Sequence, residues 1–163
     1  MREDHEELIL RNPAYLACLL WSLARSFADK GDGRSPNLTH MVIGTSMLFH
    51  AASVEKIYAM KMESGLLKAL SDVPELIAGV QPRLEAALPA CMQALQVGVA
   101  ARIIGREGGE GLPIFPALGT NLPKALRDVQ ADTGHGVAAA RRLGAWFARE
   151  DLATVRSRMG VRF

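Results

Sequence analysis

Apolar residues recur at helical spacing along most of the chain, and the breaks between runs fall at glycine, proline and capping residues. Leu16, Leu20, Leu23 and Phe27 form one stripe, with Ser22, Arg25, Ser26 and Asp29 on the other side. Asn12 is a good N-cap, and Pro13 suits the first helical turn, where its missing N–H would be unpaired in any case. Gly31-Asp32-Gly33 with Ser35-Pro36 ends this helix in a loop. Leu38 to His50 is apolar apart from Gly44-Thr45-Ser46 and exceeds usual strand length, which predicts a buried helix. Ser53 is placed to cap a short helix through Met60, with Glu55 in its first turn, where the helix dipole favours a carboxylate.

Ser64 opens a further helix, in which Leu66, Leu67, Leu70 and Val73 give one apolar stripe ending at Pro74. Two helices are expected next, Glu75 to Leu88 and Pro89 to Ala100, the first kinked or split at Pro82. Ala101 to Ile104 and Leu112 to Phe115, around the glycine-rich Gly105 to Gly111, predict a β-hairpin. Helices near Leu122–Asp132, Gly136–Arg149 and Asp151–Arg158 complete the chain. No repeat, low-complexity tract or dividing linker interrupts it. The expectation is one mainly α domain over residues 1–163, a compact helical unit with one short β-hairpin. Residues 64–116, read as three helices and a hairpin, are a candidate winged-helix core, and residues 122–163 hold the C-terminal helices.

Composition changes this picture little. At 163 residues, 49% hydrophobic and 22% charged, the chain can bury a real core as a soluble domain. The longest apolar stretch, Ala14 to Ala24, is shorter than the roughly 20 residues that cross a membrane, so no membrane partner is expected. The acidic opening Met1 to Glu7 is unlike a secretory signal, and Cys18 and Cys91 lie within apolar helical patterns. Both point to a cytoplasmic protein whose cysteines act as small buried hydrophobes rather than a disulfide. Charge is uneven. Residues 1–101 carry 9 Lys/Arg against 11 Asp/Glu, whereas residues 102–163 carry 10 against 6. The arginines of the second part form either a solvated basic face or a surface for an acidic protein or a DNA backbone.

Candidate chemistry is sparse. Gly105 to Gly111 lacks the following Lys-Ser/Thr of a phosphate loop and reads as a turn. His5, His40, His50 and His135 are never at metal-ligand spacing with one another or with a cysteine, so no metal or cofactor is expected. Glu63, Asp72, Glu75 and Glu85 read as solvent-facing, and Ser46, Ser53, Ser64 and Ser71 lack a nucleophile-elbow context. No catalytic residue is assigned, and the chain is read as a non-enzyme. The third helix of the candidate winged helix, Ala90 to Val97, has no positive charge, which leaves only Arg102 and Arg106 on the wing as nucleic-acid contacts. Trp146 and Phe147 follow Leu143 at helical spacing beside Arg142 and Arg149. Trp and Arg are the usual anchors of interfaces, although both rings can instead pack into the core.

Four segments taken in order carry a resemblance: Asn12-Pro13-Ala14 with its helix, the Leu88-Pro89 to Gly98 helix feeding the glycine turn, Arg142-Leu143-Gly144-Ala145-Trp146-Phe147-Ala148, and Met159-Gly160-Val161-Arg162. Through them the chain resembles the middle component of bacterial ABC three-component systems, a group that includes the small subunit of Lamassu-type defence. The resemblance implies a non-catalytic adaptor that joins an SMC- or RecN-like ABC ATPase to an effector, often a nuclease, in anti-phage or anti-plasmid defence, with DNA reached through the complex. No catalytic position carries over. By location, Arg141, Arg142, Trp146 and Arg149 are the candidate partner surface. The competing reading is a winged-helix DNA-binding regulator acting through Arg102 and Arg106.

Overall fold

The computed structural model describes residues 9, 12–108, 111–131 and 135–162, with residues 129–131 described by backbone alone. The acidic lead-in, His5, two residues of the glycine turn and Phe163 lie outside the described residues. Eight α-helices are present among those described: α1 Pro13–Lys30, α2 Leu38–Leu48, α3 Ala51–Ala59, α4 Leu66–Asp72, α5 Val80–Ala100, α6 Lys124–Ala131, α7 Gly136–Ala148 and α8 Leu152–Met159. Single 3-10 turns at Met62–Ser64 and Pro74–Leu76 flank α4.

Helix α1 runs through the centre. It packs most extensively on α7 and then on α5, and it also touches α2 and α6. Its start follows from Asn12, whose Oδ1 accepts from the Tyr15 N–H at 3.1 Å, with Pro13 in the first turn. Every residue from Tyr15 to Ala24 is buried, so α1 is enclosed on all sides rather than amphipathic. Ser22 and Ser26, expected on the wet side, are buried. Their hydroxyls are satisfied without water, Ser22 donating to the Cys18 carbonyl at 3.0 Å and Ser26 to the Arg141 carbonyl at 2.6 Å. Helix α2 is likewise buried from Thr39 to Leu48. Its start is a reciprocal capping box: Asn37 Oδ1 accepts from the His40 N–H, and His40 Nδ1 accepts from the Asn37 N–H at 3.1 Å.

The middle of the chain departs from expectation. The two helices expected at Glu75–Leu88 and Pro89–Ala100 are one helix, α5, preceded by a 3-10 turn at Pro74–Leu76. Pro82 is the third residue of α5, inside the first turn, where an N–H has no intrahelical partner to lose. Pro89 sits within the helix. The buried stripe Val80, Leu84, Ala87, Cys91, Ala94 and Gly98 passes it without interruption. Packing of that stripe against α1 and α2 holds the segment helical across the proline. The element order of three helices and a wing is therefore not formed.

The expected hairpin is reduced to isolated antiparallel bridges, Ile104 with Ala117 and Glu107 with Ile114, while Asn37 also bridges Ile114. Gly105 N–H donates to the Pro116 carbonyl at 2.8 Å, and Glu107 and Ile114 exchange N–H···O bonds at 2.9 Å. Pro113 and Pro116 lack N–H groups, so the second arm cannot sustain a regular ladder. The loop before α2 adds Phe115 N–H to the Pro36 carbonyl at 2.9 Å. At the C-terminus, Gly160 closes α8 in the left-handed region (φ 67). Met159 and Val161 are buried on either side of it, and the Gln81 amide exchanges two hydrogen bonds with the Arg162 backbone at 3.0 and 3.1 Å.

Candidate functional site

Helix α7 carries three of the four residues expected to meet a partner, with Arg149 at its C-cap, and the structure separates them. Trp146 has no exposed surface, and its Nε1–H donates to the Met62 carbonyl at 2.9 Å. Phe147 is equally buried. Of the two readings of Trp146, interface anchor or core anchor, its burial fits the second; the ring presents no face to a partner. Arg142, one turn earlier, is half-buried with its guanidinium 5.4 Å from the Tyr58 ring centre. The other partner of Tyr58 is His135, stacked parallel at 3.5 Å and bonded through Nδ1 to Glu55 at 2.8 Å. Arg149 is exposed and donates to the same Met62 carbonyl at 3.3 Å. Arg142, Trp146 and Arg149 thus share one side of α7 and fasten it to the Tyr58–Met62 segment.

Arg141 points elsewhere. It is exposed and lines a half-open cleft of about 550 Å³ walled by the second half of α1, the loop at Thr120–Leu122, α6 and α7. Arg25, Lys30 and Arg127 line the same cleft. Among the described residues the only acidic one in the lining is Asp29, already held by Arg25 at 3.0 Å. The four basic and one acidic side chains among the described lining residues carry a charge of +3. Trp21 anchors the loop wall by donating from Nε1 to the Leu118 carbonyl at 3.1 Å. No motif joins Arg25, Lys30, Arg127 and Arg141; the sequence offers Arg127 and Arg141 only within the general basic surface of residues 102–163, and only Arg141 as a partner residue.

A second concavity, about 470 Å³, is apolar. Leu38 and Val42 of α2, Leu84 and Leu88 of α5, and Leu112 line it, with Glu85 and Arg156 at its edge. Leu88 and Leu112 are 43% and 50% exposed. Arg102 and Arg106 are exposed on the bridge-paired segment and line neither concavity, and Arg102 adopts a left-handed φ of 58.

The remaining titratable groups do not converge. His40 lies between Phe27 and Phe147, at ring distances of 5.0 and 5.7 Å, and burial, then the Arg34 guanidinium, push its pKa down to about 4. Burial pushes the free Cys18 and Cys91 thiols up to about 11, which makes them poor nucleophiles. Ser53 contacts His50 Nδ1 at 3.2 Å and Arg83 at 3.4 Å, but it is buried at the start of α3. Among the described residues no group of His, Cys, Asp and Glu is arranged to hold a metal ion. Nor is any described helix long and apolar enough to cross a membrane.

Fold and surface define a mainly helical protein with a charged cleft and an apolar groove open to contact. Residues 2–163 match the family model described as ABC-three component (ABC-3C) system Middle Component 3, and the chain belongs to that family. No curated protein and no solved structure matches it.

Proposed function

We propose that this middle component is a non-catalytic adaptor of a bacterial defence complex. In this reading it works in the cytoplasm, as in Lamassu-type systems, and couples an SMC- or RecN-like ABC ATPase to an effector such as a nuclease. The observation that carries the reading is family membership across residues 2–163, because a middle component of a three-component system acts through the other two. The large share of α1, α2 and α7 given over to core, with apolar side chains left open along α5, suits a subunit that works by contact. On α7 the exposed Arg141 and Arg149 are the residues this reading offers to a partner.

The test is co-expression of the three components with a tag on the ATPase. The effector is expected to co-purify when this chain is present and to be lost when its gene is removed, while the ATPase stays folded. Equal recovery of the effector with and without the chain would overturn the adaptor role.

A further inference from the structure

The cleft between α1, α6 and α7 has a composition that packing does not explain. Arg25, Lys30, Arg127 and Arg141 come from three helices, and all four are placed at least partly in solvent. Only Arg25 has an acidic partner; no ion pair of Lys30, Arg127 or Arg141 occurs among the described residues. Like charges gathered in one recess repel, and that cost is met when an anion enters. Thr120 and Asn121 add hydroxyl and amide donors on the loop wall, and the Ser26 hydroxyl is already engaged by the Arg141 carbonyl. At about 550 Å³ the recess is of small-ligand size, and it is half open to solvent. Trp21 is buried and its indole N–H is used by the Leu118 carbonyl, so the described lining offers little aromatic surface on which a base could stack.

We propose that this cleft binds phosphate esters of nucleotides, carried by a free nucleotide or by a single strand of nucleic acid, through Lys30, Arg127 and Arg141, with Arg25 released from Asp29 to join them. Recognition is by charge, with no reading of the base. The proposal is independent of the adaptor reading, and it places anion contact in this cleft rather than at Arg102 and Arg106.

The test is fluorescence anisotropy on the purified full chain with a labelled 12-nucleotide single strand, with ATP and a polyglutamate of matched charge as competitors. Strand binding is expected to weaken roughly 20-fold between 50 and 200 mM salt, as for about three neutralised phosphates. The double variant Arg127→Glu with Arg141→Glu is expected to lose at least about tenfold in affinity at an unchanged melting temperature, and Arg127→Lys with Arg141→Lys to retain most of it. Displacement by micromolar ATP identifies the free nucleotide as the source; displacement only by unlabelled strand identifies the strand. Absence of binding by both strand and ATP at low salt overturns the proposal. So does equal displacement by polyglutamate, which marks the cleft as a site for an acidic polypeptide. So, too, does affinity lost on charge reversal at Arg102 and Arg106 but kept on reversal at Arg127 and Arg141.

Discussion

Helices α7 and α5 both pack on α1, but in different ways. At the α1–α7 contact the backbones meet. A Cβ at Gly144 would collide with the Leu23 carbonyl oxygen and lie 2.9 Å from the Leu23 carbonyl carbon and 3.1 Å from the Phe27 nitrogen. Around this point Leu143 to Ala148 are all buried, and Arg34 closes the end of α7 by donating from Nη2 to the Ala148 carbonyl at 2.7 Å. Helix α5 instead meets its neighbours through side chains along one stripe, and it leaves Leu88, Met92 and Val99 about 40% exposed. The contrast separates two kinds of position. Substitutions on the inner side of α7 act on folding, whereas those on the outer side of α5 act on contacts.

The strongest way to break the first half of this comparison is at Trp146. Trp146→Ala removes the largest fully buried side chain and is expected to cost about 3–5 kcal/mol in urea denaturation. Trp146→Phe keeps most of the volume but removes the indole donor to the Met62 carbonyl, and that lost bond is expected to cost about 1 kcal/mol relative to the native chain. Gly144→Ala follows closely. One methyl forces the two backbones apart, so a loss of about 3 kcal/mol is expected, at the upper end of overpacking effects. A Gly144→Ala protein with an unshifted midpoint would show that α7 can slide on α1, which the close approach rules out.

The same packed region gives the protein a pH response. His40 is held neutral among Phe27, Phe147 and the Arg34 charge, with a pKa near 4 against 6.5 for a free histidine. Below about pH 6.5 the unfolded chain takes up a proton that the folded chain refuses until about pH 4. Stability is therefore expected to fall by roughly 3 kcal/mol as pH drops through that window and to be insensitive to this group above it. His40→Gln keeps an acceptor at the third helical position for the Asn37 N–H and cannot titrate. Its midpoint should vary less between pH 6.5 and 4 than that of the native chain. Equal slopes for the two proteins would assign the acid response to other groups.

How much of this was legible before the structure depended on whether a rule concerned a chain end or a chain interior. The limits of α1 follow from Asn12 and Gly31 and those of α8 from Asp151 and Gly160, because capping is a local matter of one side chain or one backbone angle. Continuity of α5 was not legible from its prolines. It was present in the spacing of Leu84, Ala87, Cys91, Ala94 and Gly98, a stripe that outweighs a single lost hydrogen bond. The buried hydroxyls of Ser22 and Ser26 are hidden for a related reason: polarity suggests exposure, although a serine can bond a carbonyl inside the core. For the cleft, Arg141 stood out beside Trp146. Arg127 belongs with it to the basic surface of residues 102–163, but Arg25 and Lys30 join them only when α1, α6 and α7 come together, a juxtaposition that no local pattern encodes.

The mildest change probes the other half of the comparison. Pro89 is exposed in the interior of α5, where it cannot donate to the Glu85 carbonyl and its ring crowds the preceding turn. In a free helix, proline in place of alanine costs about 3 kcal/mol. Here the helix has already settled around the ring, so Pro89→Ala should recover only part of this, about 1–2 kcal/mol, seen as a rise of a few degrees in Tm. No cavity opens, because the ring faces solvent. A raised midpoint with an unchanged urea dependence would mean that α5 is held in place by its buried stripe and that the proline is tolerated. A lowered midpoint would mean that the proline imposes a bend that lets Leu84 before it and Leu95 after it reach the same core. In that case the exposure of Leu88 and Met92 is itself a product of the bend, and straightening the helix would change the apolar groove along with the stability.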